Sequence, residues 1–127
     1  HGLNKKYEER IIRVFEGLKP LLTKTPCIML GPYPVPAKLG GRWGVSPTLY
    51  KVLDIQKRQA ENYGCVFVDR FARLGGAQVL SKWRRGRPRI LSADNVHLTR
   101  EGSRQMGEFI FKYLTVEYEK SAAQSDK

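Results

Sequence analysis

Gly64-Cys65-Val66-Phe67-Val68-Asp69 reads as a helix stop, a short strand and the residue that leaves it. Upstream, Ser46-Pro47 is a helix start, a cap followed by an N1 proline. Leu49, Val52, Leu53, Ala60 and Tyr63 then give that helix an apolar face, and Gly64 ends it. The four residues Cys65 to Val68 are apolar without alternation, the pattern of a strand buried on both faces. Asp69, at its C-terminal end, is placed to accept hydrogen bonds from loop amides, a structural role.

Working outward, Pro26 to Leu30 is a second short apolar run and reads as a second buried strand. Before it, Ile11, Phe15, Leu18 and Leu22 recur at helical spacing, which predicts an amphipathic helix from Lys5 to about Thr23 with Asn4 as N-cap. Gly31 to Pro47 holds four prolines and four glycines and reads as a long loop. Residues 70–98 show no sustained period and read as irregular. Thr99 is placed to cap a last helix whose Met106, Phe109, Ile110, Tyr113 and Leu114 share one face, and after Glu117 the tail is polar and expected to fray. Two non-alternating strands separated by a helix indicate a parallel sheet covered by helices on both faces. Two parallel strands rarely stand alone, so the expected architecture is the C-terminal half of an α/β sandwich over residues 1–116, with 117–127 as the tail.

With 127 residues the expectation is one domain at most, and 41% hydrophobic with 10% aromatic residues suffices for a real core. Cys27 and Cys65 each sit in an apolar run; buried free thiols are the expected state, ahead of a disulfide or a metal site. No further Cys or His cluster points to a metal. The apolar runs fall far short of the roughly 20 residues a membrane span needs, and no signal peptide is visible. The chain starts at His1 rather than Met, which suggests a fragment. A net charge of +11 would attract polyanions, and says nothing about fold.

The chemistry-bearing stretch is Asp94-Asn95-Val96-His97-Leu98-Thr99. A carboxylate three residues before a histidine, in a turn that opens a helix, can hold the imidazole in one tautomer while its other nitrogen acts as general base. No serine in the chain lies in a Gly-Asp-Ser-like strand-to-helix turn, so this base has no evident nucleophile.

These blocks resemble the SGNH (GDSL-type) hydrolases. Asp94, His97, Leu98, Thr99 and Gly102 are similar to that family's Asp-x-x-His block, and Gly2-Leu3-Asn4 partly matches its Gly-x-Asn block, with Lys5 where an acidic residue is usual. Gly31-Pro32-Tyr33-Pro34, the stretch from Gln56 to Asp69, Leu74-Gly75-Gly76 and Trp83 are similar to bacterial members, so the resemblance covers about residues 1–115. It implies a flavodoxin-like three-layer α/β/α fold of which only the C-terminal portion is present, and a serine esterase acting on carboxylic, notably acetyl, esters of a carbohydrate or lipid. His97 would be the general base, Asp94 its orienting acid and Asn4 an oxyanion donor, with Gly2, Tyr33 and Trp83 near substrate. The serine would come from a missing upstream segment, and no metal or cofactor is implied.

Lys82-Trp83-Arg84-Arg85-Gly86-Arg87-Pro88-Arg89 carries five cations in eight residues. Arg85-Gly86-Arg87-Pro88 resembles the core of the AT-hook, which places arginines in narrow minor grooves. A solvated loop is the plainer reading. Lys82, Arg84, Arg85, Arg87 and Arg89 are nevertheless the candidate contacts for a polyanion. They support an alternative in which a catalytically inactive SGNH-like domain binds nucleic acid within a retroelement or ribonucleoprotein. Compartment and oligomeric state are not legible.

Overall fold

The computed structural model describes residues 2–125. The chain forms two compact units, one running to Leu80 and one starting at Ser81. Its class is mixed α/β, with a small parallel sheet and predominantly helical elements.

The first unit begins with helix α1 (Gly2–Leu22) and strand β1 (Ile28–Leu30). After a hairpin, helix α2 (Pro47–Asn62) leads to strand β4 (Val66–Val68), parallel to β1. The pairing register sets Ile28 against Val66 and Leu30 against Val68, which makes β1, α2 and β4 a βαβ unit. Phe15, Ala60 and Cys65 form the buried centre, with Ile11, Leu22, Cys27, Met29, Tyr63 and Phe67 packed on it. Phe15 stacks on Tyr63 with ring centroids 5.0 Å apart. Cys27, Met29, Cys65 and Phe67 thus point one way, toward α1 and α2. On the opposite side of the two strands Ile28 is 41% and Val66 54% exposed. The continuous apolar runs led us to expect cover on both faces; at these two positions the described chain leaves it open.

Helix α2 starts and stops as its sequence dictates. The Ser46 hydroxyl accepts from the Thr48 amide at 3.2 Å, and Pro47 occupies the first turn. Gly64 follows the helix with φ of 76°, the left-handed conformation that costs glycine least. Asp69 caps α3 (Arg70–Arg73), its Oδ1 accepting from the Ala72 amide at 2.9 Å, which is the structural role expected of it. Gly31 follows β1 where a Cβ would lie 2.7 Å from the Phe67 ring, so a larger residue at the strand exit would have to displace that ring.

Four expectations are corrected. First, Cys27 and Cys65 are not free thiols but a disulfide, with Cα atoms 4.6 Å apart. Extending the β1–β4 register back by one residue sets the two side by side on adjacent strands, where the interstrand spacing suits a bridge. Second, the Gly31–Pro47 segment is not wholly loop: β2 (Ala37–Leu39) and β3 (Arg42–Gly44) form a hairpin. Its turn is Gly40-Gly41, with φ of 54° and 82°, the two positive angles a two-residue turn demands. Third, α1 begins at Gly2, so Asn4 lies inside the first turn rather than capping it. Nothing in Gly2-Leu3-Asn4 stops an established helix from extending by single residues. Fourth, residues 70–98 are not wholly irregular. They include α3, a 3₁₀ turn (Gly76–Val79) and α4 (Leu80–Arg85), all too short to show a hydrophobic period.

In the second unit, α4 is followed by a loop that folds back on itself and enters helix α5 (Arg100–Ser125). The Ile90 and Leu91 amides donate to the Trp83 carbonyl at 3.3 and 3.1 Å, and Leu91 bridges to Leu98. Trp83, Ile90, Leu91 and Met106 are buried. Thr99 caps α5 as expected: its Oγ1 accepts from the Gly102 amide at 2.9 Å and donates to the Arg89 carbonyl at 2.6 Å. Helix α5 runs past Glu117 to Ser125, with Lys120 3.6 Å from Glu117.

Candidate active site

The loop between the bridged residues Leu91 and Leu98 is a turn held from inside by one carboxylate. The Asn95 amide donates to the Ser92 carbonyl at 2.9 Å, and the Ser92 amide to the His97 carbonyl at 2.8 Å. Asn95 takes φ of 58°, a left-handed position that asparagine tolerates better than most residues. Inside this turn Asp94 Oδ1 accepts from the backbone amides of Val96 at 2.9 Å and His97 at 3.0 Å. Its other oxygen, Oδ2, lies 2.6 Å from His97 Nδ1. An ionised carboxylate only accepts, so a neutral imidazole here carries its proton on Nδ1 and leaves Nε2 as the acceptor.

Three donors converge on Asp94, with the His97 ring contributing most and the Val96 and His97 amides next. Together they hold its carboxyl well below the usual carboxylate range. The acid is therefore ionised throughout the neutral range. The His97 side chain is 80% exposed and that of Asp94 50%, so the base is presented to solvent rather than enclosed. Chemically, the arrangement can take a proton at Nε2 and offset the resulting imidazolium charge.

The other residues singled out in the sequence are placed as follows. Trp83 belongs to the same unit as the pair and is buried in α4, 7% exposed, an anchor with little surface left for a ligand. Gly2, Asn4 and Tyr33 belong to the first unit. Gly2 opens α1, and Asn4 lines a 390 Å³ cleft together with Glu8, Tyr50, Lys51, Asp54, Ile55 and Arg58. Its charged groups are paired: Arg58 reaches Glu8 Oε1 at 2.5 Å and Asp54 Oδ2 at 2.7 Å. Tyr33 is half-buried with the Arg70 guanidinium 5.6 Å from its ring centre, and Arg70 Nε donates to the Gly31 carbonyl.

Of the basic residues, Lys82, Arg84 and Arg85 fall in the last turn of α4, and Arg87 and Arg89 in the loop after it. The Gly86 amide donates to the Lys82 carbonyl at 2.7 Å, so the Arg-Gly-Arg-Pro stretch starts within a helix end rather than as an extended segment. Sequence reasoning missed two supporting residues of the Asp94 turn, Ser92 and Asn95. The Asp-Asn pair was the available signal for the left-handed position; the Ser92 bonds depend on where the chain returns.

Among the described residues no group of three or more His, Cys, Asp or Glu side chains forms a metal site, and no helix is long and apolar enough to cross a membrane. Compared with known proteins, the chain matches no family model, no curated protein and no solved structure.

Proposed function

We propose that this chain carries the acid–base half of a serine-esterase centre of SGNH type, within the C-terminal portion of a flavodoxin-like three-layer α/β/α domain. The substrate class is a carboxylic ester, with an acetylated carbohydrate or lipid as the foremost candidate. The observation that carries the reading is the Asp94 carboxylate, pinned by two backbone amides and bonded to His97 Nδ1 at 2.6 Å. The two amides fix the carboxylate in place, and the carboxylate in turn holds the imidazole in one tautomer, as a general base requires. The exposure of Ile28 and Val66 at the start of the two strands supports the fold part, since further elements would cover them; farther along the same side Val68 is already buried.

In this reading the nucleophilic serine comes from a segment preceding residue 1. His97 Nε2 takes its proton as the hydroxyl attacks the ester carbonyl, and Asp94 stabilises the imidazolium. His97 then returns the proton to the leaving alkoxide. No metal or cofactor takes part.

The test is hydrolysis of p-nitrophenyl acetate by a longer polypeptide that includes the upstream segment. His97→Ala is expected to lower the rate by about 10³-fold or more. Hydrolysis indifferent to His97→Ala would remove the assignment.

A further inference from the structure

From Ser81 to Ala93 the second unit carries five cations and not one carboxylate. Two arginines elsewhere sit among acids, Arg58 with Glu8 and Asp54 and Arg104 with Glu101 and Glu108. Among the described residues, Lys82, Arg85, Arg87 and Arg89 form no ion pair. Like charges held together in this way repel one another, and an anion among them relieves the repulsion. The Arg84 guanidinium feels it: burial first, then the charges of Arg85 and Arg89, push its proton affinity below the ordinary arginine value.

This unit also holds a pocket of about 220 Å³ bounded by Lys82, Trp83, Arg87, Pro88, Ile90 and Gln105. Its polar groups are an ammonium, a guanidinium, an indole and a carboxamide, and no acid lines it. Lys82 and Arg87 are five positions apart in sequence, and the helix end between them makes them walls of one recess. The Gly86 amide closes on the Lys82 carbonyl, and a Cβ on Gly86 would come within 2.4 Å of that oxygen, so the turn is set by backbone geometry. The recess is large enough for one phosphate group and too small for a base and sugar with it.

We propose that Lys82, Arg87 and Gln105 form a phosphate-binding site that seats one phosphodiester of a single-stranded nucleic acid, with Arg85 and Arg89 contacting neighbouring phosphates. An extended polyanion is favoured over a small anion because the flanking arginines lie outside the pocket lining and the chain as a whole carries +11. A single strand is favoured over a duplex because a recess takes phosphates that can bend toward it, whereas duplex DNA is stiff over lengths of about 150 base pairs. Trp83 is buried, so no aromatic platform stacks bases here and binding is indifferent to sequence.

The experiment is fluorescence anisotropy of the full chain with a labelled 20-nucleotide oligo(dT) between 50 and 200 mM salt. About four neutralised phosphates give an expected slope of log K against log salt near −3. Lys82→Gln with Arg87→Gln is expected to weaken binding about tenfold or more and to flatten the slope by about 1.4. Both side chains are exposed, so folding is expected to survive, with circular dichroism as the check. The control Lys5→Gln with Lys6→Gln removes the same charge from α1 and is expected to cost less than threefold. Inorganic phosphate is expected to displace the oligonucleotide better than chloride at equal ionic strength. Equal losses in the two double variants, or phosphate no better than chloride, would reduce the interaction to general electrostatics and overturn the site. Polyglutamate binding as tightly as the oligonucleotide would overturn the choice of ligand, as would a duplex of the same length binding more tightly.

Discussion

At the scale of single residues, the chemistry rests on how Asp94 divides its two oxygens. Oδ1 serves two backbone amides and Oδ2 the imidazole. In Asp94→Asn the carbonyl oxygen would stay with the backbone donors, turning the NH₂ group toward His97 Nδ1. Nδ1 then becomes an acceptor and the ring proton moves to Nε2. The expected outcome is an inverted tautomer, read from the ¹⁵N shifts of the neutral imidazole. In the assembled esterase the corresponding loss is about 10⁴-fold in kcat. A ring unchanged in tautomer would mean that Asp94 does not orient it. The same geometry fixes a pH dependence. The folded pKa of Asp94 is depressed, so its contribution to the turn is present above the unfolded value of about 4 and lost as pH falls through the lower folded value. The Asp94 carboxyl ¹³C resonance should therefore show no protonation step centred near pH 4, only one in stronger acid. Movement centred near pH 4 would contradict the three-donor arrangement.

At the scale of elements, the site depends on the start of α5. The Thr99 hydroxyl joins the helix amide of Gly102 to the Arg89 carbonyl, so one side chain couples the cap to the loop carrying the cationic residues. Thr99→Ala is expected to cost about 1–2 kcal/mol in urea denaturation, the upper end because two bonds are lost. Gly102→Ala should cost more than an ordinary helix substitution gains, because its Cβ would lie 2.3 Å from the Ile90 carbonyl. Destabilisation of about 1–3 kcal/mol is expected, and an alanine variant as stable as the parent would show that this contact relaxes freely. Legibility divides at this scale. The α2 cap at Ser46-Pro47, the Gly64 stop and the Thr99 cap were readable because each is a contact between near neighbours in sequence. The β2–β3 hairpin was readable in principle, since Gly40-Gly41 is a two-residue turn signal, but prolines at 32, 34 and 36 made the whole segment look like loop. Short helices such as α3 and α4 span too few residues for a period to emerge.

At the scale of the whole molecule, the bridge between Cys27 and Cys65 ties the two parallel strands across 38 positions of sequence. The native chain should show no thiol reactive to Ellman's reagent and two after reduction, and Cys65→Ser should lower stability by about 2–4 kcal/mol in the chain-entropy account. Two thiols in the untreated chain would restore the free-cysteine reading that the structure corrects. The sequence by itself determined the α/β class, the two strands, the capped helices and the Asp94–His97 pairing. Each of these rests on spacing within a few residues, where bond geometry leaves few alternatives. Tertiary structure alone decided the disulfide, the first-turn position of Asn4 beside Glu8 and Arg58 and the acid-free recess between Lys82 and Arg87. Those follow from strand register and from the path of the returning chain, and burial and charge set both through contacts between residues that no local pattern connects.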